Sequence, residues 1–148
     1  MFSIADSHSF PIVLLSEPEL VEFGMEYRVR VVPEIYMTAE PGTSQLNPLH
    51  PKTFQVVDNV VHDVTSMFPD QLYHAEAAEV ISNCWKVDPL IQTFLSKNGT
   101  LSQILEMFVN TTIPYITSLN CTVVYWEDVL LDAEINVSPS LLPQRMLL

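Results

Sequence analysis

Two short stretches of this sequence place acid–base groups close to an imidazole or an indole. His74-Ala-Glu-Ala-Ala-Glu79 carries an imidazole and two carboxyls, and Trp126-Glu127-Asp128 sets an indole against two more. Asp6 and Tyr36 follow apolar runs elsewhere in the chain. A carboxylic acid can protonate a glycosidic oxygen while an indole face stacks on a pyranose ring, so the combination suits sugar chemistry. Taken singly, each acidic residue is better explained as a solvated turn residue or a helix cap. Cys84 and Cys121 have neither a Cys-x-x-Cys spacing nor a His/Cys cluster around them, so no metal site is expected. They could pair, remain free, or lack their partners; buried free thiols are the ordinary case.

These groups can act together only if strands and helices bring them to one end of a fold. A strand–helix alternation runs through nearly the whole chain. Phe2 to Ala5 is an apolar run ended by the turn Asp6-Ser-His-Ser9, and Glu17 to Tyr27 reads as a helix with Leu20, Phe23 and Tyr27 on one face. Arg28 to Ile35 alternates and is rich in valine, which predicts a strand. After a Pro/Gly/Asn-rich loop over Thr38 to His50, Pro51 to Phe68 repeats its apolar residues at helical spacing. Gln71 to Ala75 predicts a short strand. Asp88 caps a helix that starts at Pro89 and ends at Asn98-Gly99. Thr100 and Gln103 form a capping box for the next helix, which Pro114 should kink or end. Cys121 to Trp126 is the last predicted strand. Four strands alternating with roughly four helices imply a parallel sheet with helices packed over it, and the reactive groups fall just after the strand ends.

The chain has 148 residues, enough for one domain, and 48% of them are hydrophobic, which suffices for a substantial core. Eighteen acidic residues against 6 basic ones give a formal net charge of -12, which excludes a phosphate-binding surface for nucleic acid and attraction to an anionic membrane. No apolar run approaches the length of a membrane span. Residues Met1 to Leu15 have no basic region ahead of an apolar one, so they do not read as a signal peptide. Yet Asn-x-Ser/Thr triplets begin at Asn98, Asn110, Asn120 and Asn136, four of only seven asparagines, which points to a secreted or vacuolar parent whose start lies upstream.

Several longer segments resemble one family. Leu46-Asn-Pro-Leu-His-Pro-Lys-Thr-Phe-Gln-Val-Val57, Met67-Phe-Pro-Asp-Gln-Leu-Tyr-His-Ala75, Cys84-Trp-Lys-Val-Asp-Pro89, Asn98-Gly-Thr-Leu-Ser-Gln103 and Val123-Val-Tyr-Trp-Glu-Asp-Val-Leu-Leu-Asp132 are similar to plant β-N-acetylhexosaminidases of glycoside hydrolase family 20. Ile4-Ala-Asp-Ser-His-Ser-Phe-Pro11 resembles that family's Asp-x-x-Ser-Phe-Pro motif, and Val31-Val-Pro-Glu-Ile35 its following strand. The resemblance implies an α/β fold, a partial (β/α)8 TIM barrel of roughly four βα units, with residues 1–148 as one partial catalytic domain. It implies removal of terminal non-reducing N-acetylhexosamines with retention, the sugar's own acetamido carbonyl serving as nucleophile. Glu79 is then the acid/base, with Trp126, Asp6 and His74 in the substrate site and no cofactor or metal. The partners are N-acetylhexosamine-terminated glycans, and the parent family is secretory: extracellular, vacuolar or membrane-associated.

The pattern is also broken. The family's His-x-Gly-Gly-Asp-Glu is here His74-Ala75-Glu76-Ala77-Ala78-Glu79, so the acid/base is kept while its partner Asp has become Ala78. Glu76 and Ala77 replace glycines that allow φ > 0 or close substrate approach. The Pro-Glu-x-Asp-x-Pro-Gly-His loop passes from Pro33-Glu34-Ile35 to Tyr36-Met37, so the histidine that Asp6 would orient is missing. A second gap falls between Leu20 and Val21, and the family's later strands are absent after Pro143. On the resemblance Cys84 lacks its disulfide partner. Impaired activity is therefore expected, the competing reading being an inactive fragment or pseudoenzyme that binds a glycan or protein. Half a barrel would leave sheet edges open to self-association.

Overall fold

The computed structural model describes residues 2–3, 14–35, 46–76, 80 and 82–141. Strand β1 (Phe2–Ser3) pairs antiparallel with β2 (Leu14–Leu15), and helix α1 (Glu17–Tyr27) follows. Ser16 caps it, with Glu19 reaching back to the Ser16 amide at 2.8 Å. Arg28 turns left-handed at φ 57° and closes the helix, its amide bonding to Met25 and that of Val29 to Gly24. A Cβ at Gly24 would lie 2.5 Å from Val31 Cγ2, so this crossing of helix and returning chain requires glycine.

Helices α2 (Thr53–Met67) and α5 (Leu101–Ser118) pack together as one layer. Val57, Val61 and Val64 recur at three- and four-residue spacing on α2, and all are buried. Ile104, Leu105, Phe108, Val109 and Ile116 do the same on α5. The rings of Phe54 and Phe108 meet across the seam at 6.1 Å. Between these helices in sequence come β3 (Leu72–His74), α3 (Ser82–Lys86) and α4 (Pro89–Leu95). Asp88 caps α4 by accepting from Leu90 N at 2.8 Å, and Thr100 Oγ1 caps α5 by accepting from Gln103 N at 3.1 Å. Strand β4 (Thr122–Val124), α6 (Asp128–Leu131) and a 3-10 turn over Pro139–Leu141 complete the order.

β3 and β4 pair in parallel with Leu72 opposite Thr122 and His74 opposite Val124. Their alternation buries Tyr73 and Val123, and beyond them Ala75 and Tyr125, in the helix-facing core. Burial pushes the Tyr73 hydroxyl up to about 12. A third segment joins β3 by a single parallel bridge at Glu34: His74 N donates to Pro33 O and Ile35 N to His74 O.

Several expectations are corrected. Among the described residues the parallel sheet has two strands and one bridge, not four strands. The Val-rich run Arg28 to Ile35 is extended only towards its end, because Arg28 and Val29 are consumed in capping α1. Of the N-terminal run, Phe2–Ser3 pairs antiparallel with Leu14–Leu15, apart from the parallel pair, and Ile4 and Ala5 lie outside the described residues. The apolar side of α1 is largely solvated, with Phe23 and Tyr27 stacked on each other at 4.4 Å. α1 runs unbroken through Leu20–Val21, so the chain on either side of the gap implied by the family resemblance lies in one helix. Pro114 does not end α5, since Ile113 and Ile116 on either side of it are buried and hold the helix against the core. The short α3 and α6 were not foreseen. Cys84 and Cys121 are half-buried free thiols, and burial raises the Cys121 thiol above its ordinary value.

Two stability predictions follow from these contacts. Ile104→Ala, in a fully buried α5 position, costs about 2–5 kcal/mol in denaturant unfolding, whereas Thr100→Ala costs about 1 kcal/mol through its lost cap. Arg30 holds Asp70 through bonds of 2.7 and 2.6 Å, and this lowers the Asp70 carboxyl below its ordinary 3.8. A lowered carboxyl adds stability above its unfolded value and loses it as pH falls through the folded one. The stability difference between wild type and Asp70→Asn therefore closes below that pH; a difference unchanged in acid would refute the ion pair's role.

Candidate functional site

The parallel bridge and ladder set Glu34, His74 and Val124 in one row across three adjacent chain segments. Just past this row the backbone leaves the sheet. Ala75 N makes a last bond to Val124 O at 2.8 Å, and Trp126 lies two residues beyond Val124, where Val129 N bonds to its carbonyl as α6 begins. By alternation Tyr125 is buried and Trp126 faces the other way, 50% exposed. Its indole reaches across β3 so that Nε1 donates to Glu34 Oε1 at 2.7 Å. The ring passes over His74, with centroids 4.8 Å apart and planes tilted by 54°.

His74 is mostly enclosed, and burial lowers its imidazole below the ordinary 6.5 against the opposing pull of Glu34. Nδ1 lies 3.5 Å from Glu34 Oε1 and 3.3 Å from the Glu76 amide. It cannot donate to one and accept from the other at once. The lowered value favours the neutral ring, with Nδ1 accepting from Glu76 N–H and the proton on Nε2. Glu34 Oε1 is then left to the indole. Glu76 is 1% exposed and has φ 59°, the left-handed backbone that a glycine adopts freely.

The structure thus brings together two of the residues expected from sequence, His74 and Trp126, while Asp6 and Glu79 lie outside the described residues, as do Tyr36, Ala77 and Ala78. It adds one that sequence reasoning did not single out as a site residue, Glu34. The signal was there in Pro33-Glu34 at the end of the Val-rich run, but nothing local linked it to an indole so far along the chain. Glu127 and Asp128, beside Trp126, are exposed at the start of α6. No group of three or more His, Cys, Asp or Glu among the described residues could hold a metal ion. Two open grooves of about 410 and 380 Å³ share Pro69 and Asp70, at the amino end of β3 and away from this cluster. Reactive groups of parallel α/β folds gather at the carboxyl ends of strands, so the cluster is the better candidate site.

Residues 30–146 match the glycosyl hydrolase family 20 catalytic domain. The chain is 28% identical over 123 residues to a probable beta-hexosaminidase of Arthroderma benhamiae, covering 81% of this chain and 20% of the relative. It is 25% identical to the beta-hexosaminidase subunit beta of Rattus norvegicus, covering 92% of this chain and 34% of that one. The rat match extends over 184 residues, more than the whole of this chain, so the rat subunit carries segments here that this chain lacks. The chain therefore spans about a fifth to a third of the length of these curated relatives, which are fungal and mammalian, not plant. The exo-beta-N-acetylglucosaminidase of Vibrio harveyi, solved in complex with N-acetylglucosamine, shares the fold with a TM-score of 0.65 at 15% identity, over 88% of this chain and 24% of that one. This chain belongs to glycosyl hydrolase family 20, and its parallel strands, helices α2 to α6 and indole-bearing cluster lie within the residues matched to that catalytic domain.

Proposed function

We propose that this chain forms part of the sugar site of a β-N-acetylhexosaminidase acting on terminal non-reducing N-acetylhexosamines of glycans, and that its own turnover is impaired. One observation carries the reading: a half-exposed indole at the carboxyl ends of parallel strands, beside a carboxylate and an imidazole. An open indole face suits the apolar C–H face of a pyranose, and the neighbouring polar groups suit its hydroxyls. The names of the fungal and rat relatives and the N-acetylglucosamine held by the Vibrio enzyme agree with that chemistry. We further propose that the Glu34 segment, β3 and β4 are three neighbouring staves of a (β/α)8 barrel, since they run in one sense and in sequence order.

The proposed reaction is retaining and substrate-assisted. Glu79 protonates the leaving oxygen as the sugar's acetamido carbonyl attacks the anomeric carbon, and Glu79 then takes a proton from the water that opens the resulting ring. In the family pattern an Asp before this Glu orients the acetamide and supports its charge; here that position is Ala78. Losing such an electrostatic partner costs roughly 100- to 1000-fold in rate. The plant affinity of the segments Leu46 to Val57 and Val123 to Asp132 stays part of this proposal, carried by sequence likeness alone.

A secretory route fits the four Asn-x-Ser/Thr triplets, because Asn98, Asn110, Asn120 and Asn136 are all exposed in the folded chain. No helix among the described residues is long and apolar enough to cross a membrane.

Two measurements test the proposal. On a chromogenic β-N-acetylglucosaminide, Ala78→Asp should raise kcat by about 100-fold, and adding Glu79→Gln should abolish the gain. Sugar binding without any gain in Ala78→Asp would instead make the chain a glycan-binding module. Expressed through a secretory host, the protein should lose mass on treatment with an N-glycosidase, with Asn converted to Asp at one or more of the four triplets. A chain that leaves the host with no glycan would remove this support for the route.

A further inference from the structure

We propose that Glu34 is a positioning residue for the sugar platform: its carboxylate fixes the rotation of the Trp126 indole and thereby the face offered to a pyranose. The inference rests on the glycosidase reading above and deepens it.

Burial does not hold this indole. Trp126 is 50% exposed and its backbone lies past the last ladder bond, whereas the other tryptophan, Trp85, is 1% exposed and wedged in the core with its N–H on Leu46 O. Among the described residues, two contacts define the Trp126 ring. The first, to the His74 ring, is tilted and limits one face without setting a direction. The second is the 2.7 Å bond from Nε1 to Glu34 Oε1, and only this one has a direction. Because the acceptor is a carboxylate, the bond is of the charge-assisted kind, the stronger sort.

Glu34 is fixed in its turn. The bonds of Pro33 O and Ile35 N to His74 lock its backbone to β3. Trp126 follows the strand on the far side of β3, so the backbones of Trp126 and Glu34 are separated by two strand spacings, about 10 Å. The indole, the 2.7 Å bond and the Glu34 side chain together cover that gap, and the ring must lie across the middle strand to meet the carboxylate. Its face over His74 is thereby occupied and the opposite face is held outward. If the carboxylate were removed, the ring could turn about its side-chain torsions into other wells, and sugar binding would have to select one of them.

The test compares Glu34→Ala and Glu34→Gln with wild type, circular dichroism confirming that each is folded. Acrylamide quenching reports Trp126 alone, since Trp85 is shielded. Glu34→Ala should alter that quenching and weaken N-acetylglucosamine binding about tenfold, equivalent to about 1.4 kcal/mol. Glu34→Gln keeps an acceptor oxygen and should stay within about threefold of wild type. A residue that served only to stabilise the fold would shift the melting temperature and leave the quenching of the folded protein unchanged. Should Glu34→Ala not fold, Trp126→Phe, which keeps a ring and loses the N–H, should show the same tenfold loss. Unchanged quenching and binding in Glu34→Ala, or full affinity in Trp126→Phe, overturns the positioning role. Altered quenching in a protein that binds no sugar at all upholds the positioning role and sinks the glycosidase reading instead.

Discussion

Parallel strands cannot be joined by a tight turn; the chain must leave one strand, cross over, and re-enter beside it, and the crossover needs a buried side of its own. The pairing of β3 with β4 imposes that constraint here. The chain meets it with α3, α4 and α5, and α5 with α2 seals one face of the pair. Tyr73, Val123 and Tyr125 fill the space beneath these helices. The same two-residue alternation that buries Tyr125 turns Trp126 to the opposite face, and that which buries Tyr73 turns His74 there too. The candidate site is thus the other side of the core, set by the strand period before any question of catalysis arises.

One backbone position shows how form and chemistry have come apart. Glu76 keeps φ 59°, a conformation that costs a side-chain-bearing residue about 1–3 kcal/mol, and the family pattern has glycine there. The chain bends after β3 without the glycine best suited to that conformation. It still contributes to the site, because the Glu76 amide is aimed at His74 Nδ1 and leaves Glu34 to the indole.

Legibility in the sequence followed the range of the forces involved. Helices α2, α4 and α5 could be read because periodicity and caps are local: valines three and four apart, Asp88 before Pro89, Thr100 with Gln103. β3 and β4 could be read as short apolar runs between turn residues. The run Arg28 to Ile35 misled because valine alternation looks the same in a ladder and in an extended segment with one bridge, and because the left-handed cap at Arg28 had no glycine to announce it. α3 and α6, of five and four residues, are too short to show a period. His74 and Trp126 were visible as chemistry next to strands. Glu34 was not, because its meaning comes from a register that joins residues 34, 74 and 126, and register is not written in any one stretch.

That register also bears on how the chain reaches its fold. The elements between β3 and β4 are helices with their own caps, able to form in well under a millisecond from contacts a few residues apart. The pairing of Leu72 with Thr122 instead requires the ends of a long segment to meet, and its entropy must be lost before any ladder bond repays it. The ladder is therefore the contact whose closure costs this topology most. The row of Glu34, His74 and Val124 depends on that ladder, and because Tyr73 and Val123 bury it in the core, the row opens only when the core itself does.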